Sequence, residues 1–210
     1  MIRIAIADDH AIVRKGLRQI MADTHDLVVA GEAGNADDLL TLLRSQPFDL
    51  VVLDLSLGAR SGLEVLKHIK SEFPKLKVLV LSMHEESVFG ARVLQAGASG
   101  YVQKESAPEE LVRAIRRIVA GGIYVSDAMS QQLAADMARG GNAQLPHEHL
   151  SDREFEIFLL LGAGKSVTDT AGQLNLSVKT VSTHRTRILR KTGFSSNEDI
   201  VRYVSAHHLS

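Results

Sequence analysis

Apolar positions follow two rhythms along the first 122 residues. Short continuous runs, "IRIAIA", "LVVAGEA", "LVVLDL", "KVLVLSM" and "GYVQK", read as five strands covered on both faces, because half-exposed strands alternate instead. Between and after them, "AIVRKGLRQIMA", "NADDLLTLLRS", "GLEVLKHIKSEF", "EESVFGARVLQAG" and "APEELVRAIRRIVAGG" repeat apolar residues every three or four positions, the spacing of one-faced helices. Strands alternating with helices predict an α/β domain: a flavodoxin-like, doubly wound, five-stranded parallel sheet. Ser61 with Glu64, and Ser106 with Glu109, place a capping hydroxyl three residues before a carboxylate at two helix starts.

After "GGIYVS" the pattern changes. An alanine-rich possible helix, "AMSQQLAADMA", runs into "RGGNAQLPHEH", which reads as a linker. From Ser151 strand-like runs cease, and four short helical segments follow, separated by Gly162, Gly164, "NLS" and "GFSS". Ser151 and Glu154 form a further capping box. The expected division is therefore 1–122, a linker at 123–148, and a small all-α domain at 149–210.

An apolar share of 45% with 23% charged residues is enough for a core and argues against disorder. The absence of cysteine excludes disulfides, thiolate metal sites and a cysteine nucleophile. With no basic leader ahead of an apolar stretch and no apolar run of ~18 residues, the expectation is a cytoplasmic chain without a membrane partner. The net charge of −1 conceals a local imbalance: residues 176–193 hold Lys179, Arg185, Arg187, Arg190 and Lys191 and no acid. A nucleic-acid surface belongs there.

In a doubly wound sheet, ligands sit beyond the carboxyl ends of the strands. That rule collects Asp8 and Asp9 after the first strand, Asp54 at the end of the third, Ser82 after the fourth and Lys104 after the fifth. Each alone is an ordinary polar residue at a strand-to-loop junction; together they make a centre. Three carboxylates repel one another, and a hard divalent cation, Mg2+, resolves the conflict while leaving positions for phosphate oxygens. Asp54 is then a candidate nucleophile for phosphoryl transfer.

On these residues, positions 1 to about 122 resemble the receiver domain of bacterial two-component response regulators. The resemblance implies Asp54 as phosphoacceptor, and Asp8, Asp9, Asp54 and the Ser56 backbone carbonyl as Mg2+ ligands. It further implies Ser82 and Lys104 as phosphoryl-binding groups and Tyr101 as a switch aromatic that turns inward when Ser82 moves. Gly58 stands where many receivers have proline, and His84 and Ser56 occupy positions at which the family varies its dephosphorylation rate.

"SVTDTAGQLNLSVKTVSTHRTRILRKTG" reads as helix, turn, helix: Val167–Leu174, then "NLS" with Ser177 as N-cap, then Val178–Thr192. Val178, Val181, Ile188 and Leu189 fall on an inward stripe, and Lys179, Ser182, Thr183, Thr186, Arg187 and Arg190 on the outer face. Cations suit phosphates and hydroxyls suit base edges. With "LSDRE" and "TVSTH", which adds Thr180 to the DNA-facing set, this region resembles the LuxR-type helix-turn-helix domain. The two parts together are similar to the NarL/FixJ family. The resemblance implies a sensor histidine kinase and double-stranded DNA as partners, with RNA polymerase a further candidate; a homodimer formed through the last helix on phosphorylation is expected because conformational coupling alone falls short of a full switch. It also implies a transcription regulator that catalyses only its own phosphorylation and dephosphorylation. Two alternatives stay open. One is a small-molecule phosphohydrolase, for which the usual second Asp two residues beyond the nucleophile is replaced by Ser56; the other is a receiver that binds protein partners without phosphate.

Overall fold

The apolar runs become five parallel strands, β1 (Ile2–Ala7), β2 (Leu27–Ala33), β3 (Leu50–Asp54), β4 (Lys77–Ser82) and β5 (Gly100–Gln103), in the order β2-β1-β3-β4-β5. Five helices follow them in turn: α1 (Ala11–Ala22), α2 (Ala36–Ser45), α3 (Gly62–Glu72), α4 (Glu86–Gln95) and α5 (Pro108–Val119). The computed structural model describes residues 1–57, 61–106, 108–138, 145–207 and 209, in two units, Met1–Leu133 and Ala134–Ser210. Gly58, His208 and residue 107, which separates the expected Ser106 cap from α5, lie outside the described residues.

Ile4, Ile6, Leu50, Val52, Leu79, Leu81 and Val102 share one core with Leu17 and Met21 of α1 and Leu111, Ala114, Ile115 and Ile118 of α5. The intervening strand residues, among them Val51, Leu53, Val80 and Tyr101, point to the other face by the two-residue period of a strand. Right-handed crossovers place α2, α3 and α4 there, because the chain reverses direction across the sheet after β2. The reversal puts β1 beside β3, with Ala7 paired to Leu53, so the two strands release Asp8 and Asp54 side by side. Ser61 occupies the α3 N-cap without a side-chain cap bond, whereas Asn35 caps α2 by accepting from the Asp38 N–H.

The first unit runs past residue 122. Tyr124 forms a parallel bridge with Gly100, and α6 (Asp127–Ala138) begins directly after it, so the start of the expected linker belongs to the sheet unit.

In the second unit, a 3-10 turn (Pro146–His149) leads into α7 (Asp152–Gly162), α8 (Val167–Gln173), α9 (Val178–Thr192) and α10 (Asn197–Ala206). The Ser151–Glu154 capping box is present at the start of α7. Phe155, Phe158, Leu161, Val181, Ile188, Ile200 and Val204 form the buried centre. Val178 departs from the expected inward stripe: it is 47% exposed, whereas Val181 and Ile188 are fully buried. It is the first residue of α9, beyond the reach of the helices that cover the later turns.

Candidate functional site

Among the described residues, Asp8, Asp9, His10 and Asp54 bring ligand atoms within 4.8 Å of one another at the carboxyl ends of β1 and β3. Lys104, from the end of β5, joins them: its ammonium lies 2.6 Å from Asp8 Oδ2 and 2.8 Å from Asp54 Oδ2. The remaining oxygens have backbone partners, Asp8 Oδ1 accepting from the His10 N–H at 2.8 Å and Asp54 Oδ1 from the Ser56 N–H at 3.1 Å. Asp8 and Asp54 are buried and Asp9 and His10 are exposed, so the cluster has a dry floor and an open rim.

Burial is the main cause that raises the Asp54 pKa above the ordinary carboxylate range, and Lys104 and the Ser56 N–H only partly offset it. Burial would lower the Lys104 pKa, but its hydrogen bonds and proximity to Asp54 and Asp8 outweigh that and raise it. One ammonium therefore faces three carboxylates. This excess of negative charge on hard oxygen donors fits a divalent cation such as Mg2+, held by Asp8, Asp9 and Asp54.

Local packing holds Leu55, the residue after Asp54, against the start of α3. Gly62 donates its N–H to the Leu55 carbonyl at 3.0 Å, and a Cβ at Gly62 would stand 2.4 Å from Leu55 Cα. Only glycine allows the backbones to approach this closely.

Ser82 ends β4, buried, with its Oγ accepting from the His84 N–H at 3.1 Å. The Lys104 N–H donates to the Ser82 carbonyl at 2.8 Å, which sets the two residues side by side at the ends of their strands. Tyr101 is 2% exposed, and its hydroxyl donates to the His84 carbonyl at 2.7 Å. It thus occupies the inward position, its ring buried and its polar tip satisfied. Burial also raises the Tyr101 pKa and lowers that of His84, whose ring stacks on Phe89 at 4.5 Å.

Two residues of this centre went unremarked in the sequence. His10 places Nδ1 2.6 Å from Asp9 Oδ1, and Arg14 donates to the Asp8 carbonyl at 2.6 Å while reaching toward Glu32. The "DDH" run signals the first; the second depends on a contact across the β1–α1 turn that local pattern does not encode.

On α9, Lys179, Ser182, Thr183, Thr186, Arg187 and Arg190 are exposed on one surface, and Thr180 is half-buried. Ser177 caps the helix by accepting from the Thr180 N–H at 3.0 Å, and the two side-chain hydroxyls are 2.7 Å apart. Thr183 and Thr186 donate to the carbonyls of Lys179 and Ser182 at 3.0 and 3.1 Å. With their protons committed to the helix, these hydroxyls present lone pairs outward. Two of the five cations of the segment serve the fold instead: Lys191 binds Glu154 of α7 at 2.6 Å, and Arg185 donates to Asn197 at 2.6 Å.

An acidic crevice at the switch point of a parallel sheet, with a lysine across it, defines a phosphoacceptor domain, and it is joined here to a helix-turn-helix domain. Comparison with known proteins agrees. Residues 4–116 match the response regulator receiver domain family, and residues 148–204 the luxR family of bacterial regulatory proteins. The chain is 34% identical over 209 residues to the response regulator UvrY of Escherichia coli K12, covering 100% of this chain and 96% of that protein. It is 36% identical over 207 residues to the response regulator GacA of Pseudomonas aeruginosa PAO1, covering 99% and 97%. Among solved structures it is similar to RcsB of Salmonella enterica serovar Typhimurium bound to promoter rprA in the presence of the phosphomimetic BeF3−. That match has a TM-score of 0.65 at 28% identity and covers 97% of this chain and 98% of that one. The chain belongs to the NarL/FixJ family of response regulators, DNA-binding regulators of transcription rather than enzymes with a separate substrate.

Proposed function

We propose that Asp54 is the phosphoacceptor of this regulator and that its phosphorylation by a sensor histidine kinase controls dimerisation and DNA binding. The observation that carries this is the Lys104 ammonium bound to both Asp8 and Asp54 at the strand ends. An Asp54 carboxylate oxygen attacks the donor phosphorus; the new O–P bond forms as the N–P bond of the phosphohistidine breaks, and the imidazole, which already carries a proton on its other ring nitrogen, keeps the bonding electron pair and leaves neutral. Asp8, Asp9, Asp54 and the Ser56 carbonyl would hold Mg2+, which when bound supplies positive charge opposite the phosphoryl oxygens. Lys104 follows the charge from carboxylate to phosphoryl oxygen, and the Ser82 hydroxyl turns from the His84 N–H to donate to another. Tyr101 already faces inward, so the phosphoryl group stabilises an accessible state rather than creating one.

Conformational coupling is typically worth ~1–3 kcal/mol, whereas a full 1:99 to 99:1 switch needs ~5.5 kcal/mol. Dimerisation through α10 supplies the difference, and it places two copies of α9 in successive major grooves. There Lys179, Arg187 and Arg190 take phosphates, while Thr180, Ser182, Thr183 and Thr186 face base edges. Where the bound dimer activates a promoter, RNA polymerase is its further partner. DNA as the partner sets the site of action in the cytoplasm; no helix among the described residues is long and apolar enough to cross a membrane.

Intact mass after incubation with Mg2+ and a small-molecule phosphodonor tests this. The expected result is a gain of one phosphoryl group that requires Mg2+ and vanishes in Asp54→Asn. A gain that persists in Asp54→Asn sinks the assignment.

A further inference from the structure

The segment after α5 is fastened to all three elements that surround the Tyr101 switch. On β5, Tyr124 pairs by both backbone groups: its N–H donates to the Ser99 carbonyl at 3.0 Å, and its carbonyl accepts from the Tyr101 N–H at 2.9 Å. The approach is so close that a Cβ on Gly100 would stand 2.6 Å from the Tyr124 oxygen. On α4, both carboxylate oxygens of Glu86 lie within reach of the Ser126 N–H, at 3.0 and 3.3 Å. The Met129 side chain is 2% exposed, and its Sδ and Cε lie 3.1 Å from where a Cβ on Gly90 would be. On α5, the Tyr124 hydroxyl meets Arg113 at 3.1 Å and Glu110 at 3.3 Å.

These are few but geometrically demanding links, and all lie within the first unit. The Tyr101 hydroxyl is held by the residue pair before α4, through the His84 carbonyl, and its backbone N–H by Tyr124. A shift of α4 or β5 therefore cannot occur without straining the Glu86–Ser126 link, the Tyr124 bridge, or both. α6 starts at Asp127, with Ser126 Oγ accepting from the Met129 N–H at 3.1 Å, so a displaced strap also moves the start of this helix.

We infer that Glu86, Tyr124 and Met129 are positioning residues for Tyr101, and that residues 123–129 form a strap which docks when Tyr101 is inward and loosens when it leaves. Phosphorylation then tightens the strap and orders the beginning of α6, which carries the chain toward the output domain. Only this last step rests on the function proposed above.

Amide hydrogen exchange, resolved residue by residue on the full unphosphorylated chain, tests the strap without any phosphoryl group. In Met129→Ser the Tyr101 and Tyr124 amides lose protection together, by roughly tenfold, the factor that the net worth of about one hydrogen bond carries. Met129→Leu, which refills the space, restores both. Glu86→Ala gives the same joint loss without touching the core, and Glu86→Gln, whose side-chain carbonyl still accepts from Ser126, rescues it. Loss of protection at Tyr124 and Ser126 with Tyr101 unchanged overturns the inference. In chain that takes up phosphoryl and gains DNA affinity, Glu86→Ala is expected to take up the same phosphoryl group with a smaller gain; an undiminished gain overturns the coupling to α6. Wild type that takes up no phosphoryl group counts against the proposed function alone, and the exchange result still decides the strap.

Discussion

Val178 and Val181 sit three positions apart on α9 and meet opposite surroundings, one 47% exposed and the other fully buried. Val181→Ala should cost about 2 kcal/mol of output-domain stability through lost burial and the cavity left behind, and Val178→Ala less than about 0.5 kcal/mol. Chemical denaturation of the two variants separates these values. A helical wheel assigns both to one face because it knows angle but not length, so it cannot see where the covering helices stop. Charge shows the same limit. Arg185 and Lys191 count toward the basic charge of residues 176–193, yet each is held by a side chain from another helix, Asn197 and Glu154. Asp8, Asp9, Asp54, Ser82 and Lys104, in contrast, were legible together because each ends or follows a strand, and the strand order dictates that such ends converge. His10 is signalled by its place in the "DDH" run directly after β1, whereas Arg14 reaches the centre from within α1.

At the scale of elements, the strands appear within a residue or two of the apolar runs, since polar residues bound each run sharply. The Tyr124 bridge was not legible: one residue pairing with an edge strand leaves no periodicity. Glu154 shows how the "LSDRE" stretch knits helices together. It caps α7 through the Ser151 N–H at 2.9 Å and binds Lys191 at the end of α9, while Arg153 reaches the Leu174 carbonyl after α8 at 3.1 Å. Burial works to raise the Glu154 pKa, but Lys191 and Ser151 outweigh it, and the folded value is lowered. A lowered folded pKa means that the unfolded chain takes up the proton first. The stabilisation is thus complete above the ordinary glutamate range and is lost as pH falls through that range toward the depressed value. Amide protection in α7, taken relative to the intrinsic exchange rate at each pH, should fall on acidification across this window, and Glu154→Gln should flatten that dependence. An equal acid response in the variant would assign the effect elsewhere.

For the whole molecule, the pairing of Arg185 and Lys191 changes the expected electrostatics on DNA. Five cations per subunit would set a limit near −9 for the log-log salt slope of a dimer. With Lys179, Arg187 and Arg190 left to face phosphates, a dimer neutralises six, and the slope should lie near about −5. Binding titrations across a salt series on a site with half-sites ~10 base pairs apart measure it. The division of the chain also differs from the boundary that composition suggests at residue 122, since the sheet unit continues to Leu133. Anyone excising the first domain at Gly122 would remove Tyr124, whose carbonyl accepts from the Tyr101 N–H, and would bare the outer side of β5. An uncovered strand edge is a template for another chain. The shortened domain should therefore tend to associate edge to edge through β5, and a dimer seen in such a fragment would report the cut rather than the signalling state.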